Sequence, residues 1–209
     1  MSVAAPHRPA AAPSAATPPT HPETGERLLT AADLAVLPDE LPSGPAKYEL
    51  HDGRLVVMAP PGFDHGRFEI RLAGALLYQG EYRGHGVASS GEAALLLRRG
   101  PDRVVGADAV FVANRSLPLR YSPEGYLETI PDLIVEVLSK NDRPGEVAAK
   151  VAEYLAAGVR LVWVADPADR TVTAHRPEAA PVVLGEADAL TCEDIIPGFR
   201  LPVADVFRD

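Results

Sequence analysis

Cysteine is nearly absent from this 209-residue chain: Cys192 stands alone. One thiol can form neither an internal disulfide nor a cysteine-based zinc site, and so little cysteine suits a reducing compartment. A cytoplasmic location is therefore the expectation. Long apolar runs are missing too. No stretch approaches the ~20 residues that a spanning helix needs, so no membrane partner is expected. Positive charge is scarce, with 20 Lys and Arg against 29 Asp and Glu and a net charge of −9. That argues against nucleic-acid binding through a broad basic surface. The shortage is uneven. Residues 65–103 carry six Arg against four acidic residues, a balance of +2, whereas residues 178–209 carry two Arg against seven acidic residues, a balance of −5. A locally basic face on an acidic protein stays open. Large apolar side chains are rare in residues 1–27, where Ala, Pro, Ser and Thr dominate. Such a stretch cannot offset the entropy of ordering it and has no apolar signal-peptide core, so it reads as a disordered tail. Residues 28–209 then read as one domain, long enough to bury a core.

What is present is an alternation of periods. Thr30 can cap a short helix through Leu37 that Pro38 ends. Tyr48–Met58 is apolar on both sides of Asp52-Gly53, the signature of a two-stranded hairpin, and Pro60-Pro61-Gly62 closes its second strand. From Asp64, a candidate cap, Phe68, Leu72, Ala75 and Leu76 recur at helical spacing until about Tyr82 and Gly84. Two strands follow, around Val87–Leu97 and Val104–Ala113, joined by a turn at Gly100-Pro101-Asp102. Asn114–Pro131 reads as a loop, with Asp132 ending the Pro131 turn. The run Leu133-Ile-Val-Glu-Val-Leu138 is apolar on both faces, as in a covered strand. Asp142 is a candidate cap for a helix from about Glu146 to Ala157, which Gly158 ends. Arg160–Asp166 is a second buried strand, with Trp163 in the core and Pro167 at its end. The strand–helix–strand unit predicts a right-handed crossover between parallel strands. Thr171–Phe207 reads as short strands and turns at the edge. The expected class is α/β with a mixed sheet, antiparallel first and then parallel.

Two acids break this pattern. Glu136 lies in a run where every neighbour is apolar, and a carboxylate there is costly unless something pairs with it. Asp108 poses the same problem in Val104-Val-Gly-Ala-Asp-Ala-Val-Phe-Val112. If the two strands are neighbours, both acids can converge on one hard divalent ion, for which oxygen ligands are suited. Lys150 supplies a cation on the helix after the Glu136 strand. Its stem runs among Ala and Val and its ammonium can reach the sheet; a solvated pair with Glu146 at i,i+4 is the competing reading. His65 could contact a phosphate or cap the helix that opens beside it. Glu92 is a further carboxylate in a strand-like segment. Cys192 has no neighbouring cation to activate it.

The segments Tyr48-Glu-Leu-His-Asp-Gly-Arg-Leu-Val-Val-Met58, His65 opening a helix, Pro131-Asp-Leu-Ile-Val-Glu-Val-Leu-Ser139, Lys150 with Tyr154, Gly158-Val-Arg-Leu-Val-Trp-Val-Ala-Asp-Pro167 and Pro197-Gly-Phe-Arg-Leu201 together resemble the Uma-type family of putative restriction endonucleases. That family belongs to the PD-(D/E)XK nuclease superfamily, and the likeness covers about Leu29 to Phe207. It implies a restriction-endonuclease-like core, a mixed sheet flanked by helices. It also implies Mg2+, with Mn2+ as an alternative, held by Asp108 and Glu136, and a lysine that assists phosphodiester hydrolysis in DNA. The superfamily's usual lysine, two residues past the second acid, is replaced by Leu138, and the resemblance points instead to Lys150. The proline that usually precedes the first acid is Ala107. Glu49 matches a glutamate common in the family and becomes a secondary candidate beside His65; an exposed strand residue is its other reading.

Three functional readings follow. In the first, Asp108, Glu136 and Lys150 form the site of a metal-dependent DNA endonuclease, and Arg67, Arg71, Arg98 and Arg99 contact the DNA backbone. In the second, the fold is catalytically silent and binds nucleic acid or a protein. In the third, each acid pairs with an arginine in the core. Cutting both strands of a duplex would call for a homodimer, which the sequence leaves open.

Overall fold

The computed structural model describes residues 20–21, 24–38, 40–42, 44–58 and 62–208. Most of the expected tail, residues 1–19, 22 and 23, lies outside the described residues, as do Pro60 and Pro61 after the hairpin. Helix α1 (Ala31–Leu34) begins with the expected Thr30 cap, closed as a capping box with Asp33. Strands β1 (Glu40–Leu41) and β2 (Gly44–Pro45) form a small separate pair. The hairpin is β3 (Lys47–His51) and β4 (Arg54–Met58). Asp52 and Gly53 both have positive φ, 56° and 76°, the two-residue turn whose twist matches the strands it joins.

Helix α2 (Phe63–Leu76) continues into a π-helical turn, Leu77–Glu81. Its cap is Gly62, not Asp64, which lies in the first turn and favours the helix through its charge near the N-terminus. Strands β5 (Gly86–Arg98) and β6 (Arg103–Ala113) pair antiparallel along most of their length. After the loop come β7 (Leu133–Val137), α3 (Pro144–Ala157) and β8 (Leu161–Asp166). As expected, β7 and β8 are parallel, and Gly158 ends α3 in the left-handed conformation at φ 108°. α3 starts two residues earlier than its periodicity suggested, because Pro144 suits the first helical position. Asp142 does not cap it; its carboxylate accepts from Ser139 N at 2.6 Å. Strands β9 (Thr171–His175) and β10 (Val182–Leu184) complete the sheet edge, followed by the β11 (Ala189–Leu190) and β12 (Leu201–Pro202) pair and helix α4 (Val203–Phe207).

The main sheet has eight strands in the order β10-β9-β8-β7-β6-β3-β4, with β5 added to β6. α2 covers one face, where Leu72 and Leu76 meet Phe111, Leu133 and Trp163. The segment expected only at the edge belongs partly here, since Ile196, Phe199, Val206 and Phe207 are buried in the same cluster. Their spacing is irregular, so no periodic signal marked them. α3 covers the other face, where Val151 and Tyr154 pack on Val110, Ile134 and Val162. Each fully buried side chain of this size contributes roughly 1.5–3 kcal/mol.

Asp132 does more than end a turn. It is buried, and its carboxylate accepts from Ala113 N at 2.8 Å, Ser116 Oγ at 2.9 Å and the Arg115 guanidinium. It ties the loop after β6 to the start of β7. Asp132→Ala would leave the buried Ala113 N–H unpaired, while Ser116 and the half-exposed Arg115 can turn to water, and should cost about 1–3 kcal/mol. Urea unfolding would read this as a lower midpoint with an unchanged slope.

Candidate active site

The site originates in an edge of β6 that changes partner. One edge of β6 is paired with β5. The other meets β3 only at Leu50↔Val104 and β7 only at residues 109–111. Residues 105–108 lie in the gap between those partners, and side chains take over the missing ladder bonds. Gly106 N donates to Glu49 Oε1 at 2.8 Å, and Gly106 O accepts from Lys150 Nζ at 3.1 Å. Val137 N donates to Asp108 Oδ2 at 2.6 Å. On the β5 side, Ser90 pairs with Ala109 and Ala93 with Ala107, so Gly91 and Glu92 stand opposite the single residue Asp108. Such a bulge re-aims the side chain opposite it. The side chain of Glu92 lies outside the described residues.

Asp108 thus reaches toward α2, where His65 Nε2 lies 3.3 Å from its Oδ2. Glu136 reaches toward α3: Tyr154 Oη donates to its Oε1 at 2.7 Å and Lys150 Nζ to its Oε2 at 2.9 Å. Lys150 and Tyr154 lie one turn apart on α3, which brings both donors to one carboxylate. The competing pairing of Lys150 with Glu146 is overturned, since Glu146 is exposed and faces Arg143 at 3.6 Å. No arginine pairs with Glu136 among the described residues, contrary to the purely structural reading. Glu49 is buried rather than exposed, bonded to Gly106 and to His51 Nε2 at 2.6 Å. Asp108, Glu136, Lys150, His65 and Glu49 all line one open cleft of about 1080 Å³.

The four expected DNA-contacting arginines do not line this cleft. Arg71 donates to the carbonyls of Val206 and Arg208, fastening α4 to α2. Arg98 pairs with Asp52, and Arg99 with Glu124 at 3.2 Å and Glu128 at 3.5 Å. Arg67 has a looser partner, the exposed Asp64 at 3.5 Å.

Burial pushes the Glu136 carboxyl up to about 7, aided by the charge of Asp108 and opposed by Lys150. Burial also works against the Lys150 ammonium, but the carboxylates of Glu136, Glu49 and Asp108 outweigh it and hold its pKa above the ordinary value. Burial would raise Glu49 as well, yet His51, Lys150 and the Gly106 N–H bring it below the usual range. His65 is raised, chiefly by its bond with Asp108. Cys192 is pushed up to about 12 by burial, in keeping with an inert thiol.

A pH dependence follows. The Glu136 carboxyl keeps its proton to about pH 7 when folded but ionises near its ordinary 4.5 when unfolded. Its contribution to stability is complete below 4.5 and is lost as pH rises through about 7. Glu136→Gln cannot lose a proton. Relative to wild type, the variant should therefore gain on the order of 2–3 kcal/mol in urea unfolding between about pH 5 and about pH 8.

One residue of the cluster was not singled out from the sequence. Glu69 joins His65 and Asp108 in a group whose three ligand atoms all lie within 4.8 Å of one another. The available signal was spacing, since Glu69 follows His65 by one helical turn. Tyr154, whose hydroxyl bonds Glu136, follows Lys150 by the same interval.

A mixed sheet covered by helices on both faces, with acids and a lysine at the break in its β6 edge, defines a restriction-endonuclease-like α/β protein. The Uma2 family model, described as "Putative restriction endonuclease", matches residues 33–204, and the chain belongs to that family. Among solved structures, a putative nuclease belonging to DUF820 from Anabaena variabilis ATCC 29413 superposes with a TM-score of 0.68. It is 18% identical, and the match covers 86% of this chain and 97% of that one, a likeness of fold. None of the curated proteins matches the chain. No helix among the described residues is long and apolar enough to cross a membrane.

Proposed function

We propose that this protein is a divalent-ion-dependent endonuclease that hydrolyses phosphodiester bonds of DNA. The observation that carries the reading is that Asp108, Glu136 and Lys150 line one cleft where the β6 edge is unpaired, close enough for the charge of Asp108 to act on Glu136. The donor chemistry fits a hard divalent ion. Asp108 Oδ1 has no hydrogen-bond partner among the described residues, and each Glu136 oxygen keeps a lone pair beyond the one its protein donor uses. Asp108 and Glu136 would hold Mg2+, with Mn2+ as an alternative. When bound, the ion supplies positive charge at a phosphate and lowers the pKa of water.

The remaining roles belong to the chain. Lys150 keeps Glu136 oriented while its ammonium adds a fixed positive charge at the cleft. Tyr154 holds the other Glu136 oxygen, so the carboxylate cannot swing out of position. Glu49 fixes Gly106, and with it the backbone that presents Asp108. Arg67 on α2, together with Lys47 and Lys140 at the cleft, would meet the phosphate backbone. Cutting both strands of a duplex would take two such sites, hence a homodimer.

The test is plasmid cleavage with Mg2+ or Mn2+ beside a chelator control. Nicking that appears only with the ion is the expected result; cleavage that survives chelation contradicts it. One observation favours a silent binding module instead: both Glu136 oxygens already bond the protein's own donors. DNA binding without ion uptake would support that alternative.

A further inference from the structure

We infer that α2 completes the ion site with a nitrogen ligand: His65 and Glu69 join Asp108 in holding one divalent ion, and this mixed set selects a transition ion such as Mn2+ over Mg2+. The inference rests on the ion-dependent reading above and specifies which residues bind and what they prefer.

Sequence spacing comes first. Residues four apart on a helix share a face, and His65 and Glu69 are four apart on α2, with both side chains largely buried at 13% and 14% exposure. Their ligand atoms and those of Asp108 lie within 4.8 Å of one another. In an octahedron with bonds of about 2.1 Å, neighbouring ligands are roughly 3 Å apart and opposite ones roughly 4 Å apart. His65 Nε2, the ring nitrogen that faces Asp108, lies 3.3 Å from its Oδ2, within that range. An imidazole gives one nitrogen to one ion, so His65 Nδ1, 4.0 Å from Glu69 Oε2, lies beside the ion rather than on it.

A second observation is independent of these spacings. His65 Nδ1 is buried and has no hydrogen-bond partner. A buried polar atom left unpaired is costly; an ion on Nε2 fixes the tautomer that carries its proton on Nδ1, and that N–H faces Glu69 Oε2 at 4.0 Å. Glu69 is preset as well, because Gly91 N in the bulge of β5 donates to its Oε1 at 2.8 Å and leaves Oε2 toward His65. Outer bonds of this kind orient metal-binding carboxylates.

The donor set decides the ion. Mg2+ keeps oxygen ligands and several waters, whereas imidazole with carboxylates suits first-row transition ions. The experiment uses the full chain: calorimetric titration with Mn2+ and with Mg2+ of wild type, His65→Ala, Glu69→Gln and Asp108→Asn. Electron spin echo spectra of bound Mn2+ report nitrogen coupling directly. Wild type should bind Mn2+ about tenfold or more tightly than Mg2+ and show nitrogen coupling. His65→Ala should abolish the coupling and erase most of the preference, and Glu69→Gln should weaken Mn2+ by about tenfold. Glu69→Gln is isosteric, so it remains informative if His65→Ala unfolds. If Mn2+ binds without nitrogen coupling and only Asp108→Asn weakens it, the α2 ligands are wrong and the ion-dependent reading survives. If neither ion binds wild type, both fall.

Discussion

Asp108→Asn should lower ion-dependent DNA cleavage by on the order of a thousandfold while leaving the fold intact. The asparagine oxygen can still accept from Val137 N, now made at 2.6 Å by Oδ2, so the splice between β6 and β7 keeps its bond. What disappears is the negative charge and the second carboxylate oxygen, which an ion needs and the sheet does not. The circular dichroism spectrum and the unfolding midpoint should therefore stay close to wild type while activity collapses. A variant that cuts at wild-type rate would remove Asp108 from the site. A variant that unfolds would instead identify it as a structural acid.

Lys150→Met carries the second large effect, on two observables together. Methionine keeps the apolar stem and deletes the ammonium that bonds Glu136 Oε2 at 2.9 Å and Gly106 O at 3.1 Å. Lys150 is the main influence opposing protonation of Glu136, which already sits at about 7. Without it the carboxyl should titrate at still higher pH, and the pH–rate profile should move to the alkaline side as activity falls by roughly a hundredfold. Stability near neutrality should drop by about 1–3 kcal/mol, limited because Glu136 can escape its isolation by taking up a proton. Were Lys150 only a solvated surface charge, the same change would cost no more than about 0.5 kcal/mol and leave the profile in place.

Much of this arrangement was legible in the sequence. Asp52-Gly53 between apolar runs marked the hairpin, and the β-branched run around Glu136 marked a strand covered on both faces. Asp108 and Glu136 stood out because a carboxylate among apolar neighbours needs a partner. Lys150 stayed ambiguous because its side chain could reach either Glu146 on its own helix or the sheet beneath. Only packing decides between them, and burial of α3 on β7 favours Glu136.

The break in the β6 edge was not legible. Whether Gly106 is paired depends on how far β3 and β7 each run along β6, and strand pairing over such separations leaves no mark in one segment's composition. The bulge at Gly91, which re-aims Asp108 and steadies Glu69, escaped for the same reason. Asp64 and Asp142 were expected as caps because aspartate favours that position. Here Gly62 and Arg143 occupy it, and each aspartate bonds elsewhere. The arginines show the limit of counting charge: Arg71, Arg98 and Arg99 make their local segment basic, yet their donors serve the fold.

The most direct measurement is anomalous X-ray diffraction from crystals of the full chain soaked in Mn2+. A single strong peak in the cleft, at coordination distance from Asp108, is what the account predicts. No peak there under saturating Mn2+, or peaks only on the outer surface, would contradict it.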